Sequence, residues 1–460
     1  MKEKVQKTGQ HLANEAIRPF NALAIAIAAI SPTTSVFLVY GAGLAAAGTG
    51  VVWAFIIGGV IAIGMALSYA EVGSAFLSAG GAYTIVRRAL GPVTGGVTAL
   101  LFLVLGVVVT ASILVAAATY LNSLIPALPV NWTAFAMMAI VTALSITKIS
   151  PTSWITTAML LLELAVILIF SIVAITHPAA HGASIITPVL PASHGILEKV
   201  GIGAILVAVV PALFAYNGYD WPLYFSEETK SPRRALPKAV IIAAAVSILV
   251  ELFAVIAATV ATTNLNAATK SATPLTLIAQ NLLGTAGADI LLIGVIIAMF
   301  DTGLAGNLAY ARIYYACARD GLLPTPLERF FGYLTPKSKV PAMGFLVLFV
   351  GNGILAIFTS LNNLITFTGV VIVVIYLLVA VSALVSRVRD SNIARTFTMP
   401  LWPLPPIVAI IGVIIALTQQ SKGDLITTAV IVALGSAWFT FRKRSLPGRL
   451  EGNYQGEAED

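Results

Sequence analysis

Apolar residues run through this chain in long blocks, not in the alternating or three-and-four-spaced stripes of a water-soluble domain. Runs of the length a helix needs to cross a bilayer, about 20 residues, fall near 20–47, 50–70, 93–121, 132–147, 153–176, 200–226, 238–262, 286–317, 341–359, 362–386, 401–420 and 424–441. The pattern predicts an all-α polytopic membrane protein with twelve transmembrane helices. The fourth run is short and the third long, a mismatch that helix tilt accommodates.

Two of these blocks are interrupted at depth. In the first, NALAIAIAAI leads into Ser31-Pro32-Thr33-Thr34-Ser35 before VFLVYGAGLAAAG completes the crossing. Pro32 lacks an amide hydrogen and its ring clashes with the preceding turn. In the sixth, GIGAILVAVVPALF gives way, after Ala215, to Tyr216-Asn217-Gly218-Tyr219-Asp220. The bilayer core offers no water to unpaired backbone groups, so irregular backbone survives there only if buried or lining a cavity. The breaks fall in runs of opposite direction with five spans from one to the next, which predicts an inverted five-plus-five repeat with discontinuous helices 1 and 6. An ordinary proline kink and a glycine hinge are the plainer alternatives.

The two breaks differ in polarity. After Pro32, the amides of Thr33, Thr34 and Ser35 stand at the positive end of a helix dipole, which suits a carboxylate. The segment ending at Phe214 presents carbonyls and a negative end, which suits an ammonium. Facing each other, they describe a site for a zwitterionic amino-acid backbone.

Composition agrees. Of 460 residues, 58% are hydrophobic and 10% charged, with mean hydropathy +0.96, against about 25% charged residues in soluble domains. A net charge of +7 invites a nucleic-acid partner until the charges are placed. With the N-terminus in the cytoplasm, 23 of the 26 Lys and Arg fall in cytoplasmic segments, and Lys199, Lys270 and Lys422 alone fall outside. The positive-inside rule therefore puts both termini in the cytoplasm and accounts for the basic charge without a polyanion. The first apolar run exceeds a signal-peptide core of about 7–15 residues and is expected to be retained. A single cysteine, Cys317, excludes an intrachain disulfide. Three of the four histidines lie in the loop 177–199 without helical ligand spacing, so neither a metal nor a cofactor is expected.

Five acids lie within spans: Glu71, Glu163, Asp220, Glu251 and Asp301. Each is costly in a bilayer unless neutral, paired or solvated, and no Lys or Arg stands at comparable depth in the sequence. Glu71, near the cytoplasmic end of its span, suits a structural or gating role. Asp220, Glu163 and Asp301 suit proton coupling or gating, and Glu251 is open to either reading. Buried acid without buried base also suits a cationic cargo, with Asp220 or Asp301 as counter-ion.

Three motifs in order resemble the amino acid–polyamine–organocation (APC) superfamily of permeases, over nearly the whole chain. They are SYAEVGSAFLSAGGAYTIVRRALGP (Ser68 to Pro92), NGYDWPLYFSEETKSPRRALPKA after the second break, and NLAYARIYYACARDGLLP (Asn307 to Pro324). The resemblance implies a LeuT-like fold and a substrate held where spans 1 and 6 unwind, here Ser31, Thr33, Thr34, Ser35, Phe214, Ala215, Asn217 and Gly218. Phe214 or Tyr216 would close over it, and Asp220 takes the place of an acid tied to gating or proton binding. Many relatives carry a lysine in span 5 that contacts the span 1 break. This chain has Met159 near that position and Glu163 one turn later.

The expected organisation is a cytoplasmic N-tail (1–19), a first repeat (20–176), an external loop (177–199), a second repeat (200–387), two further spans (388–442) and a cytoplasmic C-tail (443–460). The expected function is secondary active transport of amino acids at the cell membrane, coupled to protons, with sodium as the alternative ion. A carrier or exchanger of polyamines, amines or cationic amino acids is the main rival, and a membrane sensor a remote one. Without a phosphate-binding loop or a His-Glu-x-x-His motif, neither an ATP-driven pump nor a zinc enzyme is indicated.

Overall fold

A computed structural model describes residues 19–76, 80–146, 154–179, 182–192, 196–335 and 340–445. Apart from Pro19 and 443–445, both expected tails lie outside the described residues, as do Lys148, His181, His194, Lys337 and Lys339.

The chain is nearly all helical, and every predicted apolar run contains a helix. The first crossing is split into α1 (Pro19–Ile30) and α2 (Pro32–Ala47). A 3-10 turn at Gly48–Gly50 leads into α3 (Val51–Ala75), and α4 (Ala82–Leu90) is a short amphipathic helix. There follow α5 (Pro92–Leu124), α6 (Val130–Ile146) and α7 (Trp154–Thr176). The expected solvated loop contains a two-stranded antiparallel hairpin, β1 (Val189–Pro191) and β2 (Leu197–Lys199), which the apolar pattern did not predict. It is anchored on the α2–α3 turn, where the amide of Val189 donates to Thr49 Oγ1 at 2.9 Å.

The second half begins with α8 (Ile202–Ala215), then turns, a 3-10 segment (Trp221–Glu228) and α9 (Pro232–Val260). Next come α10 (Leu265–Lys270), α11 (Pro274–Arg319), broken at Gly284, and α12 (Thr325–Phe331). The chain closes with α13 (Ala342–Phe358), α14 (Leu361–Arg389), α15 (Leu404–Thr418) and α16 (Lys422–Ser445).

Among the described residues, seven helical segments are long and apolar enough to cross a membrane, one of which (26–75) runs from the end of α1 through α2 into α3, and four more apolar helices are shorter. Their outer faces are apolar. Helix α7 exposes Leu161, Leu162, Ile169 and Ile172 and buries Glu163 and Ser171, the reverse of a helix facing water.

In the packed interior α2 lies on α8, α3 on α9, α5 on α11 and α6 on α13. Helix α7 packs on α9 and α11, α14 on α5 and α8, α15 on α3, and α16 on α5. The two breaks therefore meet near the centre, on paired elements.

Candidate site at the paired helix breaks

Ser31 sits between α1 and α2 with left-handed backbone angles, φ 46° and ψ 80°. This conformation is uncommon for a residue with a side chain and is held here by surrounding bonds. The Ser31 amide donates to Ile27 O at 2.8 Å, and Ser31 O accepts the Ser35 amide at 2.9 Å. Ser31 Oγ caps α2, accepting from the Thr34 amide at 3.4 Å. Of the three amides expected to face a ligand, those of Thr34 and Ser35 are thus occupied by Ser31 itself. Ser31 thereby serves as the N-cap of α2, meeting amides that the first turn of a helix leaves without partners.

The freed carbonyls are also met. Ser35 Oγ lies 2.7 Å from Ile30 O and 2.8 Å from Ala215 O, so one hydroxyl spans the last carbonyls of α1 and α8. Gly218, at φ 128°, brings the second break against the first. A Cβ built there would stand 2.9 Å from Ala29 C and from Ile30 N. The broken ends thus form one local structure, as the sequence leads one to expect.

Glu163 comes to this junction from α7. Its Oε2 accepts from Ser31 Oγ at 2.7 Å, and its backbone carbonyl accepts from Thr33 Oγ1 at 2.6 Å. Ser31 Oγ is also 2.7 Å from Thr34 Oγ1, which lies 2.9 Å from Thr302 Oγ1 on α11. A chain of hydroxyls therefore joins α7, the first break and α11. Thr302 was not singled out in the sequence. It directly follows Asp301, and that acid was the available signal. Asp301 is largely buried on α11. Glu251, on α9, is fully buried, and neither carboxylate oxygen has a hydrogen-bond partner among the described residues.

The second break sends its side chains in different directions. Phe214 is buried. Tyr216 turns to α3, where its hydroxyl donates to Phe55 O at 3.1 Å and its ring meets Phe55 edge-on, with centroids 5.5 Å apart. Asn217 Nδ2 donates to Tyr376 Oη on α14 at 3.0 Å. Asp220 Oδ2 accepts from Tyr224 Oη at 2.5 Å, within a group of aromatic rings.

Glu71 lies elsewhere and corrects one expectation, that the intramembrane acids lack a basic partner. Arg387 Nη1 is 2.9 Å from Glu71 Oε2, Arg395 Nε is 3.6 Å from Oε1, and the Met399 amide donates to Oε2 at 2.8 Å. The group forms because α14 carries Arg387, in its last turn, back to the end of α3, a tertiary approach that hydropathy does not report.

A cavity of about 510 Å³ is lined by Val108, Val207, Asn362, Thr366, Gln420 and Asp424. Thr368, on the same helix as Thr366, is fully buried, its hydroxyl without a partner among the described residues. Among the described residues no group of three or more His, Cys, Asp or Glu is placed to hold a metal.

Apolar helices facing outward around paired breaks, with hydroxyls and a carboxyl gathered inside, define a polytopic membrane protein of the permease class. The chain belongs to the amino acid permease family, whose model, described as "Amino acid permease", matches residues 17–436. This bears out the resemblance to APC permeases. The branched-chain amino acid permease BcaP of Bacillus subtilis is 24% identical over 401 residues, 82% of each chain. The methylthioribose transporter of the same organism is 25% identical over 398 residues, again 82% of each. The low-affinity putrescine importer PlaP of Escherichia coli is 26% identical over 287 residues, 62% of each.

Proposed function

We propose that the protein is a secondary active transporter of amino acids or closely related amines in the cell membrane. The observation that carries this is the junction at which Ser35 spans both broken helices and Ser31 holds Glu163. Membership of the amino acid permease family supports it, and so do the transport functions named in the relatives BcaP and PlaP.

The architecture in this reading has twelve spans, both termini in the cytoplasm and a LeuT-like five-plus-five inverted repeat over 20–176 and 200–387. The packing supports the repeat. First-half elements lie against their second-half counterparts: α2 on α8, α3 on α9, α5 on α11 and α6 on α13. Spans 11 and 12 follow over 388–442.

The substrate sits at the breaks. Its carboxylate competes with Ser31 for the start of α2, and its ammonium for the carbonyl end of α8. Ser31, Thr33, Thr34, Ser35, Ala215, Asn217 and Gly218 form the polar floor, with Phe214 as the closing aromatic. Tyr216 contributes backbone there, since its side chain is held on α3. Glu163 supplies the coupling. A charged Glu163 beside Ser31 would face the incoming carboxylate across a few ångströms of dry protein, where like charges repel strongly. Protonation removes that repulsion, so proton and substrate load together. Asp301 adds to the same local field, while Glu71 and Asp220 act in gating.

The test is uptake into proteoliposomes under an inward proton gradient without sodium. Amino acid should accumulate and be lost on adding a proton ionophore. Glu163→Gln should bring the ratio of uptake with and without the gradient from about tenfold or more to near one. An unchanged ratio would remove Glu163 from coupling, and accumulation driven by sodium alone would replace the proton.

A further inference from the structure

The outward side of α9 changes character at its first turns. Leu249, Ala245 and Ile242 are exposed, and so, nearer the start of the helix, are Lys238 and Arg234. From Arg234 onward these positions are spaced four, four, three and four residues apart, so they share one face of the helix. An apolar face of the kind that meets acyl chains therefore runs straight on into a basic one. Arg233 and Lys230, also exposed, flank it. From Thr229 to Val250 the sequence holds these four basic residues and no acid.

None of the four makes an ion pair among the described residues. Other arginines are used within the protein: Arg387 and Arg395 hold Glu71, Arg442 holds Glu328 and Arg319 holds Asp320. The backbone beneath the basic face is fixed, since Thr396 Oγ1 donates to Arg233 O. An orientation signal requires charge on one side of the membrane, but not on the lipid-facing side of a helix. Lys238 stands about 6 Å from Ile242 along the axis, which is one step from acyl chains to headgroups and within reach of a Lys or Arg stem. Arg offers a fork that matches phosphate oxygens, and Lys a point charge. A zwitterionic headgroup brings its own cation to such a place, whereas an anionic one does not.

We propose that Lys230, Arg233, Arg234 and Lys238 form a binding surface for the headgroup of an anionic phospholipid, whose chains lie along Ile242, Ala245 and Leu249. With both termini in the cytoplasm the lipid belongs to the cytoplasmic leaflet, where anionic lipids are found. The proposal rests on the reading that α9 spans the bilayer and not on which substrate is carried.

Quenching by brominated lipids tests it. A bimane on Ile242→Cys in the purified full-length protein reports the chains beside the basic face, because the native Cys317 is buried. In mixed bilayers, brominated phosphatidylglycerol should associate there about threefold or more better than brominated phosphatidylcholine. The same label on Ile411→Cys, exposed on α15, should give a ratio near one. Replacing the basic residues together (Lys230→Gln, Arg233→Gln, Arg234→Gln, Lys238→Gln) should bring the ratio at Ile242→Cys near one as well. A ratio between two lipids does not move when a variant merely reconstitutes poorly. With the basic residues in place, raising the salt to about 1 M, where screening acts within about 3 Å, should lower the ratio. A ratio near one at Ile242→Cys, one unchanged by the four substitutions, or an equal preference at Ile411→Cys would overturn the surface and leave the transporter reading standing. Loss of the ratio in inorganic phosphate, but not in chloride of equal ionic strength, would make free phosphate the ligand and overturn the lipid. Absence of amino acid uptake with the ratio intact would overturn the transporter reading alone.

Discussion

Gly218 is the residue on which the meeting of the two breaks depends. Its φ of 128° lies in a region that side chains disfavour, and the space where a Cβ would go holds the backbone of Ala29 and Ile30. Those atoms cannot move aside as a side-chain tip can. Gly218→Ala should cost about 2–4 kcal/mol and abolish uptake, read as a lower melting temperature in detergent together with lost transport. A variant that melts and transports like the native protein would show that the close approach is dispensable. Gly218 and Pro32 were legible in the sequence because both act on the backbone, through freedom in one and a missing hydrogen in the other. Ser31 was legible only as a polar residue near a proline. That it caps α2 and holds Glu163, on a helix 132 positions later, depends on tertiary approach. Tyr216 reads as an aromatic at a break, and only the nearness of Phe55 turns it to α3.

At the scale of elements, the end of α3 is tied to the far end of α14 and the segment after it. Glu71 is 1% exposed and holds Arg387 and Arg395, the latter 7% exposed, while the Arg387 guanidinium also stacks 5.2 Å from the Trp402 ring centroid. Removing Glu71 leaves Arg395 buried and Arg387, 28% exposed, partly buried without their carboxylate, which is the expensive way to break an ion pair. Glu71→Ala should therefore destabilise the protein by about 3–5 kcal/mol, whereas Glu71→Gln, which keeps an acceptor for the Met399 amide, should cost less. Thermal unfolding of the two variants in one detergent checks the order, and equal melting temperatures would show that the charge contributes nothing. The apolar runs made the helices legible, since a bilayer leaves few other ways to satisfy the backbone. They did not show this latch. In the sequence Arg387 and Arg395 read as orientation signals, and their second use depends on which helix ends meet. The hairpin at 189–199 escaped for a similar reason, because its strands are three residues each and rest on the turn at Gly48–Gly50.

For the whole molecule, the outstanding question is which end of the bundle faces outward, and the chain offers a direct way to ask. Its one cysteine, Cys317, is fully buried, so the native protein should not react with a membrane-impermeant maleimide. Asn362, at the start of α14, is exposed and lines the cavity of about 510 Å³. Ser391 is exposed just past the other end of the same helix, 29 residues long. At about 1.5 Å per residue that helix spans more than the bilayer core, so the two positions lie on opposite faces. With both termini in the cytoplasm, maleimide added to intact cells should label Asn362→Cys and spare Ser391→Cys, and inside-out vesicles should reverse the pattern. Labelling of Ser391→Cys alone in intact cells would invert the topology and place the larger cavity on the cytoplasmic side. Repeating the reaction on Asn362→Cys with substrate present links orientation to mechanism. If that cavity is the external approach to the breaks, saturating substrate should slow labelling severalfold, since closing of the helices around a bound molecule narrows the path. A rate independent of every transported compound would leave the cavity outside the transport route.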